Sequence, residues 1–422
     1  MIGSNRGGRV FLAAAVFALL LVSSAGAAEQ RLAAHDPEVS DQLGFKVAID
    51  GDIVVAGSVN DKVGANVEQG SAVVFARSGT GWVEQARLTA SDGRERDHFG
   101  ISVGVSGETI VVGSQRDDGA STKEGAVYVF VRNGSAWTQQ AILTASNGQE
   151  SDVFGYAVAI QGDTLVVGAP SADFDIFANW GAVYTFKRNG GTWTEQSILR
   201  PFDAFTLAEF GCSVGLDGDT LVVGAEGSYV GLTQGQGAAY VYVRFGNQWM
   251  QQARLTVEEG SVFDHFGHSV AVSGDTIAAG GLPWVGAEAY SGVVYVFTRR
   301  GIVWGREATL TAPDRAFNDN FGRGLAMSGD LIAAGSGGDN VGGNANQGSV
   351  YVFARHDGAW TQQTKLTAGD GTEGDLLGFS VAISGNDVVA GANLDDVTVT
   401  DEGSAYVFQA DAPPRRRRSV GR

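Results

Sequence analysis

Few residues in this sequence combine a type and a spacing that could carry a reaction. The five histidines are His35, His98, His265, His268 and His356, and none stands in an H-E-x-x-H pair that would hold zinc on one helix face. His265 and His268 are three apart, so on a strand they are expected to point to opposite faces rather than work as a pair. Cys212 is the single cysteine and reads as a small strand residue, not as a thiol nucleophile. No nucleophile elbow or phosphate-cradling glycine loop is present. The acids most open to metal chemistry are Asp61, Asp117, Asp118, Asp173, Asp175, Asp339, Asp395 and Asp396. Asp173-Phe174-Asp175 begins like a calcium loop, but Phe177 occupies the next ligand position. These acids read as solvated loop residues, and no catalytic residue or cofactor is assigned, with calcium left open.

What must position these residues is a repeat. An aromatic or Leu followed by Gly returns seven times, at Leu43-Gly44, Phe99-Gly100, Phe154-Gly155, Phe210-Gly211, Phe266-Gly267, Phe321-Gly322 and Leu377-Gly378, with the glycines 55 or 56 residues apart. After each marker, apolar and small residues alternate as in a strand. A Gly turn follows, such as Ser106-Gly107-Glu108, then a short apolar run whose continuity implies burial on both faces. A loop of 11 or 12 residues leads to a Val-, Tyr- and Phe-rich third strand, and a fourth carries Trp82, Trp137, Trp193, Trp249, Trp304 or Trp360.

Four antiparallel strands per unit, seven times over, predict an all-β, seven-bladed β-propeller. The last unit lacks its Trp-bearing strand, whereas Glu29 to Ala34 matches the fourth-strand segment Glu84 to Ala90. The strand near the N-terminus is therefore expected to complete the last blade and close the ring, which removes open sheet edges. An Asp two residues before the marker occurs in six units, at Asp41, Asp97, Asp152, Asp264, Asp319 and Asp375, with Ala208 in the seventh. A carboxylate there can accept backbone N–H groups and hold the turn; the alternative is a ring of acids that attracts cations.

Residues 1–28 join Arg6 and Arg9 to an apolar run from Val10 to Val22 and an Ala25-Gly26-Ala27 cleavage pattern. They are expected to be a secretory signal peptide, too short for a bilayer span. The propeller is expected over 29–409 and a disordered basic tail over 410–422. The net charge is −18, and the body between the two basic ends is more acidic still. That argues against nucleic acid as a partner, and no stable membrane insertion is expected. The expectation is a secreted or periplasmic monomer.

The Phe-Gly markers followed by Val-Val-Gly-Ala-Pro at Val166 to Pro170 resemble FG-GAP repeats, the units of the integrin α-subunit propeller. The resemblance covers about residues 29–409 and implies an adhesion or binding module, although the fold hosts enzymes and lectins as well. The calcium loops that integrins place between the first two strands have no counterpart here, because the corresponding turns are two or three residues long. In a propeller the loop after strand two and the connection between blades open on one face. There Phe174, Phe177 and Trp180, then Phe202 and Phe205, Tyr229, Trp284 and Tyr290 distinguish the middle blades. With Asp173 and Asp175 they are the candidate ligand-binding residues, either as a recognition patch or as small cores under their own loops. The expected function is an exported, non-enzymatic module that recognises a protein or glycan through this face; the alternative is an exported metal-assisted hydrolase or lyase that uses acids such as Asp173 and Asp175.

Overall fold

The computed structural model describes residues 29–116, 124–173, 178–203, 207–283 and 289–410. Their 28 strands, β1 to β28 in chain order, form seven four-stranded antiparallel sheets. Blade 1 shows the pattern, with β2 (Leu43–Asp50), β3 (Ile53–Ser58), β4 (Ser71–Ser78) and β5 (Gly81–Leu88) hydrogen-bonded in sequence. The two-residue turn between β2 and β3 uses Gly51 at φ +54°, the left-handed conformation a tight hairpin requires. All six residues of β3 are buried, as its unbroken apolar run predicts for a strand covered on both faces. The outermost strand is the opposite: β9 (Ala136–Leu143) is exposed or half-buried at every residue but Leu143.

The innermost strands are β2, β6 (Phe99–Ser106), β10 (Ala157–Gln161), β14 (Phe210–Asp217), β18 (Ser269–Ser273), β22 (Leu325–Ser328) and β26 (Ser380–Ser384), each packed on the next around the ring. Closure occurs as the sequence predicts. β1 (Glu29–Leu32) pairs antiparallel with β28 (Ser404–Gln409), from Glu29 opposite Phe408 to Leu32 opposite Ala405. Gln30 then bonds to the Trp82 backbone on both its N–H and C=O sides, each at 2.7 Å, which ties the last blade to the first.

The marker works at the seam between blades. Phe99 is fully buried among Ile53 and Val55 of blade 1 and Tyr128 of blade 2, and meets Tyr128 edge-on at 5.3 Å between ring centroids. Gly100 has φ +98°, and a Cβ there would lie 2.5 Å from the Ser71 carbonyl oxygen. Glycine is thus required both by the backbone and by the neighbouring blade. The six aspartates before the markers do what was expected of a turn brace: in each, Oδ2 accepts the N–H of the residue three earlier, from Glu38 to Asp41 at 2.7 Å to Thr372 to Asp375 at 2.5 Å. On the opposite face the third-strand arginines stack on the tryptophans, as Arg77 does over Trp82 at 4.3 Å, and pair with the first-turn aspartates, as in Arg77–Asp52 at 2.8 Å.

Candidate functional site

Because the marker glycine bends the chain sharply, the residue after it enters the innermost strand at the face where the long loops open. The seven residues so placed are Phe45, Ile101, Tyr156, Cys212, His268, Arg323 and Phe379, and all line one cavity of about 440 Å³ at the mouth of the central channel. Lys46, Gln115 and Glu226 join them. A second recess of about 670 Å³ shares Gln115, Tyr156, Cys212 and Glu226 with the first and runs outward past Pro170, Asn179 and Glu209. The two form one continuous depression from the channel across blades 2 to 4.

The charges in this depression are unevenly compensated. Glu226 Oε2 lies 2.6 Å from His268 Nδ1 and 3.7 Å from His265 Nδ1. Burial opposes ionisation of this carboxyl, but the His268 hydrogen bond and the two histidine charges hold it below the usual range. Glu209 is raised, by burial first and then by repulsion from Glu226. Burial and Glu226 also push the Tyr156 hydroxyl up to about 12 and the Cys212 thiol well above its ordinary value. The thiol points at the Gly267 carbonyl, 3.6 Å away, so it is protonated and unreactive at neutral pH.

Lys46 and Arg323 stand on the other side of the mouth. Both side chains reach the water of the channel, yet protein surrounds them. Confinement, and then the Arg323 charge, lowers Lys46 to about 8; confinement also lowers Arg323. The guanidinium lies 4.6 Å from the centre of the Phe379 ring, and Phe379 packs on Phe45 at 5.2 Å. Among the described residues neither cation has a carboxylate within salt-bridge distance. Many cations elsewhere are paired, as in Arg188–Asp163 at 2.7 Å, Arg254–Asp203 at 3.0 Å and Lys365–Asp339 at 2.6 Å.

Comparison with known proteins matches the FG-GAP repeat model seven times, over residues 27–75, 82–130, 137–186, 193–242, 249–297, 304–353 and 360–408. The chain belongs to the FG-GAP repeat family. Six matched FG-GAP units each begin in the outer strand of one blade and end in the third strand of the next, and the first takes in β1 and ends in β4. The first unit therefore needs β1, the strand that closes the ring. The FG-GAP propeller is also similar to integrin alpha-M of Mus musculus, 26% identical over 281 residues. The match covers 62% of this chain and 22% of the integrin.

Several residues of the FG-GAP propeller sit differently from the sequence-based expectation. His265 and His268 do not point apart, because β18 starts only at Ser269. His265 has φ +52° and its carbonyl accepts the His268 N–H at 3.0 Å, so both rings turn to Glu226. The loop acids Asp61, Asp339 and Asp395 are not solvated. They are buried and engage Arg87, Lys365 and the Ser404 hydroxyl in turn, which braces the loops from within. Asp173 accepts the Asn179 N–H at 2.8 Å, as Asn340 and Asp396 do for Asn346 and Asp401, so its position is a loop brace shared by several blades.

Phe174, Asp175, Phe177, Phe205 and Trp284 lie outside the described residues. Phe202 is 92% exposed; Trp180, Tyr229 and Tyr290 are half-buried. The backbone carbonyls of Trp180 and Tyr290 each accept an N–H from the start of the next blade, Phe210 at 3.2 Å and Asn320 at 2.8 Å. None of these four lines the depression. The residues that do converge, Lys46, Tyr156, Glu226, His268 and Arg323, were missed. For Tyr156, His268 and Arg323 the signal was the position after the marker glycine, which holds a different chemical type in nearly every copy; Lys46 is one residue further on and Glu226 follows the second strand.

Proposed function

We propose that this FG-GAP propeller is an exported, non-enzymatic binding module that acts as a monomer and recognises a protein or glycan through the face that bears the channel mouth. One observation carries the reading: the depression is lined by repeat positions that vary in charge, size and polarity, the residue after the marker glycine and the residue after the second strand above all, on a scaffold whose blade-building positions are nearly uniform. Uniform positions build blades, and the varied ones are free to be fitted to a ligand. The chemistry of the lining also supports binding over turnover. Cys212 and Tyr156 hold their protons, and the His268–Glu226 pair has no nucleophile hydrogen-bonded to it among the described residues. Similarity to part of an integrin alpha chain is consistent with adhesion.

Screening the secreted chain against glycan and matrix-protein arrays tests this. Tyr156→Ala, within the depression, should weaken the recognised contact tenfold or more, while Gln248→Ala on the opposite face should leave it unchanged. Binding that follows Gln248 and ignores Tyr156 would place recognition on the wrong face and defeat the proposal.

A further inference from the structure

We propose that the channel mouth selects an acidic monosaccharide unit, a sugar bearing one carboxylate, held by Lys46 and Arg323. The inference rests on the reading that this face binds a ligand and adds what kind of ligand it takes.

The two cations line the same cavity and have no carboxylate partner among the described residues, in a chain of net charge −18. The two like charges repel each other, Glu226 attracts Arg323 only from beyond salt-bridge distance, and a bound anion relieves the repulsion that remains. The repeat shows what Lys46 replaces. At the same position Ser102, Ser213, Ser269 and Ser380 donate to the marker-glycine carbonyl of the next blade, at 2.5 to 3.0 Å. Blade 1 gives up this latch and puts an ammonium group into the channel instead.

The remainder of the lining separates a sugar from a simple anion or an acidic side chain. Glu226 uses Oε2 on His268, and its other oxygen has no partner among the described residues, so it is an acceptor for a hydroxyl. A hydroxylated ring supplies that donor, whereas an acidic side chain would set its methylenes against a carboxylate. The Phe45 and Phe379 rings offer an apolar surface beside the cations for the C–H face of a pyranose. A volume of about 440 Å³ admits one such unit and little more.

The test is calorimetric titration of the mature chain at pH 7 with sodium D-glucuronate, D-glucose and N-acetylaspartate. Glucuronate should bind at least tenfold tighter than either of the others. Lys46→Met and Arg323→Gln should each lose tenfold or more, and Lys46→Arg should retain binding. Wild-type affinity should fall as the pH rises through about 8, where Lys46 loses its proton. Glucuronate no better than glucose, or a Lys46→Met variant that binds as wild type, overturns the assignment; N-acetylaspartate bound more tightly than glucuronate overturns the sugar. If Tyr156→Ala still abolishes array binding while glucuronate fails, the acidic-sugar inference falls and the binding face stands. If array binding maps to the opposite face, the functional reading itself falls.

Discussion

Replacing Asp319 by Asn should stabilise the propeller relative to wild type as the pH is raised, because the brace that holds the turn also buries a charge. Asp319 is 2% exposed, and its Oδ2 accepts the Ala316 N–H at 2.5 Å. Burial raises its pKa to about 6 in spite of that hydrogen bond, with Asp339 and Asp314 pushing the same way and Lys365 against. The unfolded chain releases this proton near the ordinary aspartate value of about 3.9. The native state therefore holds the proton more tightly, and the stability it confers is full below about pH 4 and is lost as the pH rises through about 6. From the two pKa values, the loss amounts to about 1 kcal/mol at pH 4.5 and about 3 kcal/mol at pH 7.5. Asp319→Asn keeps an acceptor oxygen but has no such titration, so it should gain about 2 kcal/mol on wild type between these two pH values. Any fixed cost of the amide cancels in that difference. Urea unfolding followed by tryptophan fluorescence at both pH values, with equal slopes, reads it out. A variant that tracks wild type to within about 0.5 kcal/mol at both pH values would show that hydrogen bonding, not burial, controls this proton.

Gly100→Ala should cost about 3 kcal/mol or more, from φ +98° and a Cβ 2.5 Å from the Ser71 oxygen, whereas Gly107→Ala, with φ +55° and open space around it, should cost only about 1 kcal/mol; equal losses in a denaturation series would remove the marker's role at the seam. Deleting residues 29–34 exposes the edge of β28, and size-exclusion chromatography should show dimers and larger species in place of a monomer. EDTA and excess calcium should leave the melting temperature the same to within about 1 °C, whereas an ion bound to the folded chain would add stability that grows with the logarithm of its concentration above Kd; a rise of several degrees with calcium would establish a metal site.

The blades were legible because each element obeys a local rule that the chain repeats six or seven times. Alternation, turn glycines, buried apolar runs and a tryptophan strand all point to one architecture, and repetition removes the ambiguity any single copy would carry. Even the closing strand could be recognised, because Glu29 to Ala34 resembles the outer strands of other blades. The failures came where a local rule met a neighbouring blade. Asp61 reads as a loop acid until Arg87 reaches it. The two histidines read as strand neighbours until the left-handed residue before the marker turns one back towards Glu226.

The same physics explains why the site was hard to see and why it lies where it does. In a ring of near-identical blades, the backbone contacts at each seam fix the marker glycine, the aspartate brace and the second strand, because a side chain added or removed there disturbs two sheets at once. The next residue has a different environment: it faces six equivalents of itself across open space, so its size and charge are restrained by few close neighbours. Seven chain-distant residues therefore meet at one point with little packing constraint, and the ring gathers Tyr156, His268 and Arg323 from this column, with Lys46 from the next position and Glu226 from the end of a second strand. A motif search along the chain cannot find such a site, since its members are one repeat apart and unlike each other. Reading down the columns of the repeat can, and the columns to read are those beside the positions the scaffold constrains most tightly.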